Sequence, residues 1–177
     1  MNDVIAVQYL RKWNGENKMS EVTKMPLGGW IFYLSGKEKS LNMHKCGKWM
    51  HFFNNKEFAA RICEEAIIKN ICAESKHSDA EEGVCCFYLN CDDVEGHKRV
   101  IKFFLENDLI RKTKTGKLYN ISFKLDDQTR AGEYGTDFHS DIKLEQFVNL
   151  NTGEFFYDKV HFFIYGDVVK VQNILST

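Results

Sequence analysis

Apolar residues in this chain fall into short runs broken by polar turns, and at two places the period lengthens from two residues to nearly four. Val4 to Tyr9 predicts a short opening strand, and Trp13 to Gly29, with Asn14-Gly15 and Pro26, predicts a loop. Gly29 to Leu34 is a continuous apolar run of strand length, stopped by Ser35-Gly36, and Lys48 to Phe53 is a second. Asn54 or Asn55 can then cap a helix, because an Asn side chain accepts from the unpaired first N–H groups. Phe58, Ile62 and Ala66 recur every fourth residue, with Ala59, Cys63, Ile67 and Ile71 beside them, so the pattern predicts a helix to about Ser75.

Gly83 to Leu89 predicts another buried strand. Asp92 or Asp93 caps a second helix, Val94 to about Asn107, with Val100, Ile101, Phe104 and Leu105 inward and Lys98, Arg99 and Lys102 outward. Leu118 to Leu125 alternates, with Tyr119, Ile121, Phe123 and Leu125 on one side. Ile142 to Val148, a turn at Asn151-Thr152-Gly153, and the aromatic run Phe155 to Tyr165 predict more sheet. Residues 1–177 therefore read as a single α+β domain, a mixed or antiparallel sheet with two main helices packed on one face. The other face is left for solvent or a ligand.

Fourteen Phe, seven Tyr and three Trp make the expected core rich in rings, and a single proline argues against long disordered stretches. No run reaches the ~18 apolar residues of a membrane span. The start MNDVIAVQYLRKW lacks a basic segment followed by an apolar one, so a cytoplasmic protein is expected, with no membrane partner. Cys46, Cys63, Cys72, Cys85, Cys86 and Cys91 then read as reduced thiols; Cys85 and Cys86, adjacent on a strand, would point to opposite faces.

The net charge of −1 conceals a block pattern. Residues 1–56 carry nine Lys/Arg against four Asp/Glu, 57–96 three against ten, 97–130 nine against four, and 131–177 three against seven. Two basic blocks folding together would make a positive face for phosphates or nucleic acid; alternatively the blocks neutralise one another across the surface.

Lys112-Thr-Lys-Thr-Gly-Lys117 has the composition of a phosphate loop, but the leading glycine is missing and a strand pattern follows where a helix is required. His44, Cys46, Cys85, Cys86, Cys91, His51, His77 and His97 do not form two ligand pairs at zinc spacing, so no metal is assigned. There is no Gly-x-Ser-x-Gly elbow, and Asp92, Asp93, Asp126 and Asp127 fall at cap and turn positions, so no catalytic set is assigned either. The helix from His97, the basic turn Arg111 to Lys117 and the alternating segment after it resemble the last helix and wing of a winged-helix domain. On that reading Lys98, Arg99, Lys102, Arg111, Lys112, Lys114 and Lys117 would contact DNA phosphates.

Lys48-Trp49, the segment Tyr119-Asn-Ile-Ser-Phe-Lys124, and Gln128-Thr129-Arg-Ala-Gly132-Glu-Tyr134-Gly135 carry a further resemblance across roughly residues 28–135. In order and motif this stretch resembles the cap-binding translation-initiation-factor-like fold, nearest the small family that includes the basophilic-leukaemia-expressed protein. The resemblance implies a curved antiparallel sheet with helices on its convex side and a ligand on the concave one. It also implies Trp30 and Trp49 as stacking rings and Lys48, Lys124 and Arg130 as phosphate partners.

Three classes of function stay open. The leading one is a non-enzymatic binding protein that holds a nucleotide-like ligand or nucleic acid on a basic, aromatic face made by Trp30, Lys48, Trp49, His51, Lys124 and Arg130. The compact, Lys-, Asn- and Ile-rich chain suits a phage or mobile-element protein with a counter-defence, anti-CRISPR-like role. The second is an interaction inhibitor whose acidic segment 57–96 blocks the nucleic-acid channel of a host defence nuclease. The third is an enzyme on phosphorylated substrates, with His51 as acid/base and Lys48 holding phosphate. No cofactor is implied by any of the three.

Overall fold

The computed structural model describes residues 22–156 and the backbone of two further strands, Val160–Tyr165 and Val168–Asn173. The sheet is built of β1 (Thr23–Leu27), β2 (Trp30–Leu34), β3 (Cys46–Phe53), β4 (Glu74–Ser78), β5 (Gly83–Asn90) and β6 (Lys124–Leu125). These lie in the order β1-β2-β4-β5-β3-β6, and every neighbouring pair is antiparallel. The strands Val160–Tyr165 (β7) and Val168–Asn173 (β8) pair with each other in a second, two-stranded antiparallel sheet. Two long helices, α1 (Lys56–Ile68) and α2 (Val94–Glu106), cover one face of the six-stranded sheet, and a five-residue helix α3 (Asp126–Arg130) follows β6. The α+β architecture with its antiparallel sheet matches the sequence pattern. No helix among the described residues is long and apolar enough to cross a membrane. The expected opening strand Val4 to Tyr9 lies outside the described residues.

Local chemistry explains most boundaries. Asn55 caps α1, its side chain accepting from the Phe58 N–H at 2.9 Å, and Asp93 caps α2 by accepting from the Gly96 N–H at 2.8 Å. The inward stripe of α1 is Ala59, Ile62, Cys63, Ala66 and Ile67. It packs with Val100, Ile101, Phe103 and Phe104 of α2 over Tyr33, Trp49, Phe53, Cys85, Phe87 and Leu89 of the sheet. Phe87 meets Phe104 edge-on, with ring centroids 5.0 Å apart. All six cysteines are buried free thiols.

Four expectations need correction. The loop assigned to Trp13–Gly29 contains β1, which tolerates Pro26 because it is the sheet's edge and its outer N–H row needs no partner. The turn into β2 is Gly28-Gly29, both at positive φ (59° and 81°), as a two-residue hairpin requires. The first helix stops at Ile68 rather than near Ser75: Asn70 takes the left-handed conformation (φ 55°) and Glu74–Ser78 becomes a central strand. The alternating segment 118–125 forms only β6 at its end plus isolated bridges at Leu118 and Ser122, and it leaves Tyr119 exposed. Residues 142–156 form bridges and a 3-10 turn at Leu144–Gln146 rather than strands.

Candidate anion-binding site

Alternation along the strands divides the sheet's residues between two faces. Trp49, His51 and Phe53 of β3 point to the helices. Lys48, Met50 and Phe52 therefore point to the second face. Cross-strand register then assembles a row there: Leu34 opposite Glu74, Glu74 opposite Tyr88, Tyr88 opposite Lys48, and Lys48 opposite Lys124. The adjoining row is Phe32, Lys76, Cys86 and Met50. Lys48 and Lys124, separated by 75 positions in the chain, thus sit side by side because β6 returns to the free edge of β3.

These cations are not on open surface. Lys48 and Lys124 are each 5% exposed and Lys76 is 1% exposed. The Lys48 ammonium donates to Asp126 Oδ1 at 2.7 Å and to the Thr129 hydroxyl at 2.9 Å, both on α3. Lys76 lies over the rings of Trp30 (4.2 Å), Phe32 (5.0 Å) and Tyr88 (5.6 Å), whose electron-rich faces attract a cation. Lys124 is held differently. Its ammonium donates to the Glu133 carbonyl oxygen at 2.5 Å and lies 3.7 Å from the Tyr134 ring centre and 5.0 Å from that of Phe138. No carboxylate among the described residues pairs with it. Burial lowers its pKa, and the neighbouring Lys48 charge lowers it further against the opposing pull of Glu133. The site thus holds a desolvated cation beside a like charge, an arrangement that an incoming anion relieves.

The site residues anticipated from sequence divide between the two faces. Trp30, Lys48 and Lys124 share the second face. Trp49 does not: it is 0% exposed on the helix side, where its indole N–H donates to His97 Nδ1 at 2.9 Å and its ring packs on Phe123 and Phe147. Trp30 and Trp49 consequently cannot sandwich one ligand. His51 also lies on the helix side, its Nδ1–H donating to the Leu109 carbonyl at 2.8 Å and its ring edge-on to Phe58. Burial lowers its pKa. The pairing of His51 with Lys48 as acid/base and phosphate holder is excluded by the sheet between them. Arg130 is engaged by Asp127 and by the Met43 carbonyl, at 3.1 Å.

Glu74, Lys76, Tyr88, Tyr134 and Phe138 were not anticipated as site residues. Glu74 was hidden within the helix expected to run to about Ser75, and Lys76 fell between it and the strand expected from Gly83; the alternation of Glu74, Lys76 and Ser78 against Ser75 and His77 was the available signal. Tyr88 was visible only as a core ring, and Tyr134 only as part of a motif.

The alternative nucleic-acid surface is differently built. Lys98 pairs with Glu95, Arg99 with Asp93, Lys102 with Glu106 and Lys112 with Asp108, all on or next to α2. The turn 111–117 closes through the Thr113 N–H to the Lys117 carbonyl, with Arg111, Lys114 and Lys117 exposed. The core expected before a winged helix is absent among the described residues, where β4 and β5 precede α2. The acidic segment 57–96 is spread over α1, β4, β5 and the start of α2. Asp79, Asp92, Asp93 and Glu95 pair with cations of the flanking basic blocks, which neutralise the segment at these positions, while Glu65 pairs with Arg61 inside it and Glu74 is buried. No three His, Cys, Asp or Glu side chains gather to hold a metal among the described residues.

In comparisons with known proteins, no family model matches the chain, and no curated protein matches it either.

Proposed function

We propose that this protein binds a phosphate-bearing, nucleotide-like ligand through the second face of its sheet, with the phosphate at Lys48 and Lys124. The observation that carries this reading is the pairing of those two lysines across adjacent strands, buried, with no carboxylate in an ion pair with Lys124 among the described residues. Two adjacent ammonium groups suit a multiply charged anion. The depth of the pair favours a compact anion over a polymer, whose backbone needs an exposed basic track. A binding role rather than an acid–base one is supported by the absence of histidine from this face of the described strands, and by Cys86, whose thiol burial pushes up to about 11.

Titration calorimetry with ATP at low and high salt tests the reading. Binding is expected to weaken with salt, and Lys124→Met is expected to lower affinity roughly tenfold or more, the loss of a charged hydrogen bond. ATP affinity that is undetectable, or unchanged by Lys124→Met, would defeat it.

A further inference from the structure

The same lysine that defines the site is covered by a short strap. The chain leaves α3 through Gly132 (φ 76°) and turns again at Gly135 (φ 57°), and between these two glycines stand Glu133 and Tyr134. The Glu133 carbonyl takes a hydrogen bond from the Lys124 ammonium, and the Tyr134 ring lies against that ammonium's other side. Tyr134 itself is 60% exposed, so its ring is not seated in a core; its described cationic contact is Lys124. The foot of the strap is tied by backbone bonds, among them the Glu133 N–H to the Gln128 carbonyl at 3.0 Å, and by the Gln128 side chain, whose Nε2 donates to Glu133 Oε2 at 2.9 Å and to the His139 carbonyl at 2.6 Å.

We propose that residues 131–138 form an autoinhibitory strap in which Tyr134 and the Glu133 carbonyl occupy the place of the ligand's anion at Lys124, and which lifts when an anion binds. The proposal rests on the anion-binding reading of the Lys48–Lys124 pair. The electronegative ring face and the carbonyl oxygen supply weak, partial negative charge to a buried cation. A phosphate supplies full charge and displaces them, while the glycines on either side of Glu133-Tyr134 let the segment change course without strain in a side-chain-bearing residue. The carbonyl and the nearer ring against Lys124 belong to adjacent residues, so they are lost together, and the Phe138 ring, 5.0 Å from the ammonium, stands at the far end of the strap.

Reductive methylation of the whole protein, followed by peptide mass spectrometry, reads Lys124 accessibility without any ligand, with exposed Lys114 as internal reference. Lys124 in the unaltered protein is expected to react at least several-fold more slowly than Lys114. Tyr134→Ala is expected to bring the two rates together, and Gln128→Ala, which loosens the foot but keeps the ring, is expected to shift Lys124 in the same direction. Tyr134→Ala is also expected to bind inorganic phosphate about 2- to 30-fold tighter, the equivalent of the cation–π contact that phosphate no longer has to displace. An unchanged Lys124 rate in both variants overturns the strap, as does weaker phosphate binding by Tyr134→Ala, which would make the ring part of the ligand's own contact. If Tyr134→Ala exposes Lys124 but phosphate gives it no protection from methylation, the strap stands and the anion-binding reading fails.

Discussion

Trp49 and His97 illustrate how single side chains settle roles here. His97 is fully buried, receives the Trp49 indole N–H on Nδ1, and donates from Nε2 to the Cys91 carbonyl at 3.1 Å. Acceptance of the indole N–H on Nδ1 needs the neutral ring, and burial lowers the pKa to about 4. Between that value and the ordinary 6.5, the unfolded chain takes up a proton that the folded chain refuses. This group's share of stability is therefore complete above about pH 6.5 and is lost as pH falls, by about 3 kcal/mol at pH 4. Urea unfolding at pH 7 and pH 4.5 measures the slope, and His97→Gln, which retains an acceptor and a donor, is expected to flatten it. At Lys124 the sign differs. Because the ammonium is buried beside Lys48, Lys124→Met is expected to change the urea midpoint by no more than the equivalent of about 1 kcal/mol, while ligand affinity collapses. Loss of both together would mean that Lys124 is a structural residue.

Among the elements, the short strand β6 matters more than its two residues suggest, because it alone brings Lys124 to Lys48. Its docking requires Gly47: a Cβ there would stand 2.6 Å from the Lys124 carbonyl oxygen and 2.5 Å from the Phe123 ring. Gly47→Ala is expected to cost about 1–3 kcal/mol in denaturant unfolding and to weaken ATP binding even though no ligand contact is removed. β4 shows the limit of periodicity. Its residues Glu74, Ser75, Lys76, His77 and Ser78 contain no strong β-former, and the preceding helical stripe runs on through Ile71 without a glycine or proline to stop it. The strand exists because β2 and β5 flank it and supply both hydrogen-bond ladders, a tertiary effect that local pattern does not contain.

At the scale of the whole molecule, the charge blocks are resolved by pairing, as in Lys45 with Asp92 (2.6 Å) and Lys56 with Asp79 (2.7 Å), each joining a basic block to the acidic one. The exposed basic turn and the buried lysine pair are thus separate features. Replacing Lys112, Lys114 and Lys117 together by Ala is expected to leave ATP affinity within about twofold, since exposed charges are screened within roughly 10 Å at ordinary salt. A large loss in that calorimetric titration would move the ligand to the turn.

The strands β2, β3 and β5, the two long helices with a cap at Asn54 or Asn55 and at Asp92 or Asp93, and the helix-covered sheet were legible from the chain because each depends on residues within a few positions of one another. The placement of Lys48 on the face opposite Trp49 and His51 also follows from alternation, although the face expected from the sequence joined all three. Which residues meet Lys48 was decided only by tertiary structure. The strand order that inserts β4 between β2 and β5, and the return of β6 to β3, brings Lys76, Tyr88, Lys124 and Tyr134 to one place from four stretches of chain. Contacts of that span are set by long-range strand pairing and burial, which no local period records.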